Sequence, residues 1–234
     1  PLNYDRDRVP MKYVVLLGDG MPDWPVRKLG GKTPLEKART PNMDFLATHG
    51  RLGFVHTIPP GLPPGSDVGH LSVLGYNPRR YYTGRAPIEA AAMGIKLGTR
   101  DVAFRCNLVT LAVRDGVTIM KDFSGGHIPS HQSGPLIRRL QKKLGGGGIE
   151  FYPGVSYRHI MVWRNGKYKM KLTPPHDITG RPIESHLPRR EGAPFLMEIM
   201  QRAQSVLAKN GTKANAIWLW GQGRASRLPH FPLR

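Results

Sequence analysis

Apolar and polar positions along this chain fall into short blocks separated by glycine and proline. Residues 12–17 (KYVVLL) form an apolar, β-branched run that breaks into GDGMPDWP. This pattern predicts a buried strand ending in a glycine-rich loop. Residues 33–49 contain a helix in which Thr40 is the expected N-cap and Pro41 the first helical residue. Asp44 sits in its first turn, Met43, Leu46 and Ala47 form its apolar stripe, and Gly50 ends it. Leu52–Ile58 reads as a second strand. Residues 58–78 (IPPGLPPGSDVGHLSVLGYNP) place two Pro-Pro-Gly-type turns before Ser66, and Asp67–Leu74 follows as a helix. Residues 84–95 predict a further helix.

The pattern changes character near residues 99–101. Val102–Leu111 reads as a strand, turned at Asp115-Gly116 into a hairpin partner over Val117–Met120. Pro135–Leu144 is a basic helix closed by four glycines. Ile149–Tyr152 and Tyr157–Trp163 are strands. Ala193–Lys209 is an amphipathic helix with Phe195, Leu196, Ile199, Met200, Ala203, Val206 and Leu207 at helical spacing. Ala216–Trp220 is the last strand. The reading is an α/β chain of two units, 11–100 and 101–234. Residues 1–10 are set aside as a lead that is non-native or disordered. No internal repeat is evident.

Composition narrows the function classes. The 234 residues are 39% hydrophobic and 22% charged, a globular balance. Cys106 is the single cysteine, so an intrachain disulfide framework is excluded and a reducing cytoplasm is expected. No apolar run reaches the length of a membrane span. The net charge of +19 would favour nucleic acid, but the basic residues are scattered and no nucleic-acid motif accompanies them. Neither nucleic acid nor membrane is expected as a partner. The charge fits a solvated basic surface, a missing acidic remainder, or a small phosphorylated acid as ligand.

The candidate chemistry lies at strand ends, where open α/β sheets place their ligands. Asp19 and Asp23 stand there, although an Asx turn or a cap would also explain Asp19. Ser66 sits at a helix N-terminus, whose free N–H groups favour an anion. An ordinary helix cap is the alternative, and the Pro-Pro-Gly constraint tilts the reading toward function. Asp19 and Ser66 are hard oxygen donors suited to Mn²⁺, Mg²⁺ or Zn²⁺, and metal contact would activate the serine as a nucleophile. A two-metal site needs more ligands. His127, His159, His176 and His186 are dispersed among loops and form a weak alternative set.

The segments GDGMPDWP, TPLEKARTPNMDFLATHG, PPGSDVGHLSVLGYNPRRYYTGRAPIEAAAMGI, DFSGGHI, IEFYPGVSYRHIMVWR, TPPHDITG and AIWLWGQG resemble the archaeal-type 2,3-bisphosphoglycerate-independent phosphoglycerate mutases. These form a branch of the alkaline phosphatase superfamily, some of whose bacterial members are named homoserine kinase analogues. The likeness runs over nearly all of residues 11–227. It implies a partial alkaline-phosphatase-like domain followed by a smaller α/β substrate-binding domain. It further implies that Asp19 is a metal ligand and that Ser66 accepts the phosphoryl group and touches metal. Asp122, His127, Arg158, His159, Arg224 and Arg227 would approach phosphoglycerate, the arginines as phosphate or carboxylate clamps. Two divalent ions complete the family's site. Its members continue beyond GQG and return an aspartate–histidine cluster to the first domain, whereas this chain stops at HFPLR. The expectation is therefore a mutase lacking its C-terminal metal-ligand half, inactive alone, with exposed apolar faces that promote self-association. A homoserine kinase-like phosphotransferase and an inactive remnant or anion-binding module are the alternatives.

Overall fold

A single long strand organises the molecule. In the computed structural model, which describes residues 12–231, β1 (Val102–Arg114) is the centre of a five-stranded antiparallel sheet. Its first half pairs with β4 (Arg158–Trp163), from Val102↔Trp163 to Asn107↔Arg158. Its second half pairs with β2 (Val117–Asp122), through the Asp115-Gly116 turn in which both residues have positive φ. It also pairs with β5 (Ala216–Gly223), and β3 (Ile149–Tyr152) extends the sheet beyond β4. The expected hairpin is thus present and β5 runs three residues further than Trp220.

Alternation along β1 sends Val102, Phe104, Cys106 and Leu108 to one face, where α6 (Ser130–Leu144) and α7 (Ala193–Leu207) contribute Ile137, Leu140, Leu196, Ile199, Ala203 and Leu207 to the main core. Ala103 faces the other way. There it meets Ala86 and Ala90 of α5 (Arg85–Ala92), together with Ile160 and Val162. Residues 102–109 are consequently buried throughout, because helices cover both faces at this point.

Ahead of β1 the regular elements are short helices. They include α1 (Pro34–Lys37), α2 (Pro41–His49), α3 (Ser66–Val73) and α4 (Pro78–Tyr81) before α5. Thr33 and Glu36 form a reciprocal capping box on α1. The expected helix over 33–49 is therefore two helices, broken at Ala38–Thr40. Thr40 is the N-cap residue of α2 but caps no backbone group. Its hydroxyl donates to Asp44 Oδ1 instead, at 3.0 Å.

The strands expected at 12–17 and 52–58 are corrected. Both segments lack regular structure, neither joins a strand ladder among the described residues, and Val14, Leu16, Leu52 and Phe54 are exposed. The β-branched residues favour extension, but a strand also needs a neighbour for its N–H and C=O groups, and none is supplied here. The lead assigned to residues 1–10 lies outside the described residues.

The chain just ahead of α5 meets β5 at a backbone crossing. A Cβ on Gly84, whose φ is 150°, would collide with the Gln222 carbonyl, and one on Gly223 would lie 2.6 Å from the Thr83 carbonyl oxygen. Thr83 Oγ1 also donates to the Arg224 carbonyl at 2.6 Å. Only glycine permits this approach and, at Gly84, this φ.

Candidate functional site

The loop at Pro59–Gly65 delivers Ser66 as the first residue of α3, with Gly65 as the N-cap. Ser66 is therefore not the cap. Its hydroxyl reaches 47 residues back along the chain and donates to Asp19 Oδ2 at 3.0 Å. This contact separates the two sequence readings of Ser66, because a capping side chain would bond its own helix. Asp19 and Ser66 line a cleft of about 340 Å³ with Leu17, Thr57, Ile58 and His70. His70 follows Ser66 by four residues and so lies on the same helix face, a spacing from which it could have been found in the sequence.

A second opening of about 430 Å³ also contains Asp19, Ser66 and His70, and is completed by Asp67, Arg85, Ile88 and Glu89. Asp67 and Arg85 are shared with a third cleft of about 450 Å³, which lies over the α5 face of the sheet and is lined by Tyr82, His176, Asp177, Trp220 and Gln222. Helix α3, which carries Ser66, and the sheet thus border adjoining openings that share Asp67 and Arg85, together called the groove below. Tyr82 donates to Asp67 Oδ2 at 2.6 Å, and burial followed by this carboxylate drives the phenol's pKa upward.

The sheet side of the groove is cationic and aromatic. Arg105 has its guanidinium over the Trp220 ring at 4.5 Å, and Trp220 Nε1 donates to Asn107 Oδ1 at 3.0 Å. Burial pulls the Arg105 pKa down to about 10, opposed by the charge of Glu89, so the group stays cationic at neutral pH. His176 packs edge-on against Trp220 at 5.2 Å and against Phe123 at 6.1 Å. Burial lowers its pKa, with nearby Arg105 and Arg85 acting in the same direction.

The residues expected in the substrate domain divide. Arg158 lies beside Tyr157, its guanidinium carbon 5.6 Å from that ring, and its charge acts on Arg105. His127 stacks edge-on with Phe123 and Tyr157. Both stand beside the aromatic end of the groove. Asp122 is a loop brace: it accepts from Ser124 N, Ser124 Oγ and Gly126 N at 2.6–2.8 Å. Burial alone would raise its pKa, but these hydrogen bonds outweigh it and the net shift is downward. His159 is the clear correction. It follows Arg158 and pairs with Cys106, so alternation turns it into the core, where it is 1% exposed. Its Nδ1 accepts from Gly154 N at 2.9 Å, its Nε2 has no partner among the described residues, and burial lowers its pKa to about 3. Arg224 stacks on Tyr168 at 4.5 Å, and Arg227 is exposed beyond β5. His186 lies on a short 3-10 turn, lining a separate surface hollow with Lys171 and Arg189.

Sequence reasoning missed Arg85, Glu89, Arg105 and Trp220. A charge inside the apolar run VAFRCNLV was the available signal for Arg105, and the i,i+4 spacing was the signal for Arg85 and Glu89.

Asp19 and Ser66 are the right kind of donor for a hard divalent cation. They supply at most three oxygens, fewer than such an ion takes. Among the described residues no three His, Cys, Asp or Glu side chains converge on a metal site. The donor set therefore fits in kind and is incomplete in number. No helix of the described residues is long and apolar enough to cross a membrane.

Known proteins resemble this chain over most of its length. The profile of a family described as 2,3-bisphosphoglycerate-independent phosphoglycerate mutase matches residues 47–212. A probable 2,3-bisphosphoglycerate-independent phosphoglycerate mutase of Geobacter sulfurreducens is 54% identical over 231 residues, covering 94% of this chain and 58% of the relative. The Methanothrix thermoacetophila enzyme of that name is 55% identical, covering 94% and 57%. Among solved structures, a Pyrococcus horikoshii protein superposes with a TM-score of 0.61 at 30% identity, over 90% of this chain and 51% of its own. The cofactor-independent phosphoglycerate mutase of Thermoplasma acidophilum gives 0.52 at 28% identity, over 91% and 59%. The chain thus spans little more than half the length of the relatives it matches.

Proposed function

Because the chain belongs to the 2,3-bisphosphoglycerate-independent phosphoglycerate mutase family, we propose that it carries the nucleophile and the substrate cleft of an enzyme interconverting 2- and 3-phosphoglycerate. The observation that carries this reading is the Ser66 hydroxyl, at the start of α3, donating to Asp19 at 3.0 Å beside an opening that Arg85 also lines.

In the proposed reaction Ser66 Oγ attacks phosphorus while its proton moves toward Asp19. The Oγ–P bond forms as the bond from phosphorus to the substrate oxygen breaks, and that oxygen takes up the proton. The free N–H groups of the first turn of α3 face the incoming negative charge. The glycerate stays in the groove, presents its other hydroxyl and takes the phosphoryl group back. Divalent ions at Asp19 and Ser66 would neutralise charge on the transferring group; Mn²⁺, Mg²⁺ and Zn²⁺ all suit such oxygen donors, and the other ligands would come from outside this pair. The single cysteine, buried as a free thiol, supports the cytoplasm as the compartment.

The test is phosphoryl capture by a form of the protein as long as its relatives, which supplies the remaining metal ligands. It is incubated with 3-phosphoglycerate and Mn²⁺, quenched in acid, and its peptides are mapped by mass spectrometry. The expected result is phosphoserine at Ser66 and none in Ser66→Ala. Phosphate on another residue, or undiminished labelling of the variant protein, overturns the assignment.

A further inference from the structure

Lys171 and Arg189 stand directly opposite one another with the same charge. Each donates its N–H to the other's carbonyl at 3.1 Å, forming an isolated antiparallel bridge. Residues paired in this way carry their side chains on one face, with Cα atoms about 5.5 Å apart. Like charges so placed repel each other and weaken the pairing. Among the described residues nothing offsets this, since no carboxylate forms an ion pair with Lys171, with Arg189 or with the nearby His186. Glu184, on the same 3-10 turn as His186, is exposed and does not line the hollow that these three share.

That hollow has a volume of about 310 Å³ and is completed by Thr173, Ser185 and Leu187. Every polar side chain in its lining can donate a hydrogen bond, and none is acidic. The Arg189 guanidinium is tethered, because its Nη2 donates to the Ser185 carbonyl at 2.7 Å. Tethering restricts the long side chain before any ligand arrives, so less rotamer entropy is lost on binding. The opposite wall is anchored as well: Trp218 Nε1 donates to the Thr173 carbonyl at 2.8 Å. The hollow shares no residue with the three openings of the groove and its cleft at Ser66. Leu172 and Pro174, which alternate with Lys171 and Thr173 along the chain, line the cleft over the sheet. The hollow therefore lies on the reverse of a wall of the groove.

We propose that this hollow is a second anion site, which binds a small phosphate-bearing molecule through its phosphate. A phosphate dianion neutralises the opposed pair, and its oxygens accept from ammonium, guanidinium, imidazole and hydroxyl donors together. The repulsion within the bridge thereby becomes a source of affinity. A chain with a net charge of +19 attracts anions in general. Selectivity for an oxyanion over a monovalent halide is what separates a site from an attractive surface. The proposal does not depend on the chemistry at Ser66.

The test follows the His186 ring by NMR in the form of the protein as long as its relatives, kept free of divalent ions. The signal is assigned by its loss in His186→Asn. Sodium phosphate is titrated at fixed pH against sodium chloride of matched ionic strength. The expected shift saturates with phosphate and stays small with chloride. Lys171→Gln and Arg189→Gln each raise the apparent Kd about tenfold or more, as loss of one charge-assisted contact does. Lys171→Arg keeps it within about threefold. In chloride, Lys171→Gln melts no lower than wild type, because an opposed charge has gone while the bridge backbone remains; this separates a lost site from a lost fold. A shift that rises without saturation, or equally with chloride, is an ionic-strength effect and overturns the site. Undiminished phosphate binding in the two glutamine variants overturns it by placing the anion elsewhere. A Lys171→Gln protein that melts several degrees lower in chloride also overturns it, since that lysine would then have a partner within the fold and not in a ligand.

Discussion

Replacing His159 with leucine removes a buried imidazole whose effect on stability depends on pH. The ring is 1% exposed and lies in the core beside Cys106. Because Nδ1 accepts from Gly154 N–H, the neutral ring carries its proton on Nε2, which has no acceptor. Burial lowers the folded-state pKa to about 3, against 6.5 when unfolded. The sign follows from proton counting. Below pH 6.5 the unfolded chain binds a proton that the folded chain refuses until near pH 3. Stability is therefore intact above 6.5 and is lost as pH falls. Between pH 7 and pH 4 the unfolded histidine gains about 2.5 pH units of protonation free energy, roughly 3 kcal/mol at 1.36 kcal/mol per unit. Urea unfolding of wild type and His159→Leu at intervals across that range isolates this amount, because carboxylates such as Asp101 and Glu150 titrate in both proteins. At pH 7 the two should lie within about 2 kcal/mol. The variant loses the acceptor for Gly154 N–H but also removes an orphan N–H. Wild type should then weaken by about 3 kcal/mol more than the variant on reaching pH 4. Parallel stability curves would refute the buried neutral imidazole.

The other predictions concern the seams of the fold. Gly84→Ala forces a Cβ against the Gln222 carbonyl at φ 150°, so a loss of about 3 kcal/mol or more is expected in denaturant unfolding, with Gly94→Ala as a control at an uncrowded positive φ. Arg164 donates to Glu150 through Nε and Nη2 and to Asp101 and the Lys96 carbonyl through Nη1, at 2.7–3.0 Å. Arg164→Met should cost about 2 kcal/mol at neutral pH, discounted because the guanidinium and Glu150 are partly exposed. Because Glu150 and Asp101 have lowered pKa values in the fold, that cost should shrink as pH falls through the carboxylate range, which an acid titration of both proteins will show.

Much of the sheet unit was legible because its cues are local. The Asp115-Gly116 turn, the stripe along Ala193–Leu207 and the β-branched runs each specify an element without reference to the rest of the chain. What failed was non-local. Residues 12–17 and 52–58 have strand composition, but pairing depends on a neighbouring backbone that composition cannot supply. Arg158 and His159 looked like one motif, yet adjacent residues on a strand face opposite sides, so one is exposed and the other lies in the core. Ser66 was identified as a residue but not distinguished from a cap until its partner, Asp19, was seen in space. Arg105 was overlooked because a strand reading asks only whether a run is apolar, not why a charge interrupts it.

The crossing of Thr83–Gly84 with Gln222–Gly223 sets the spacing between α5 and β5 chiefly through main chain. Under the proposed function, side chains along the groove can then diverge during evolution, changing which ligand is held, without altering how far that ligand sits from Ser66. Heritable variation in specificity is thereby separated from variation in alignment, and two glycines, which have no side chain to exchange, carry the constraint that keeps them apart.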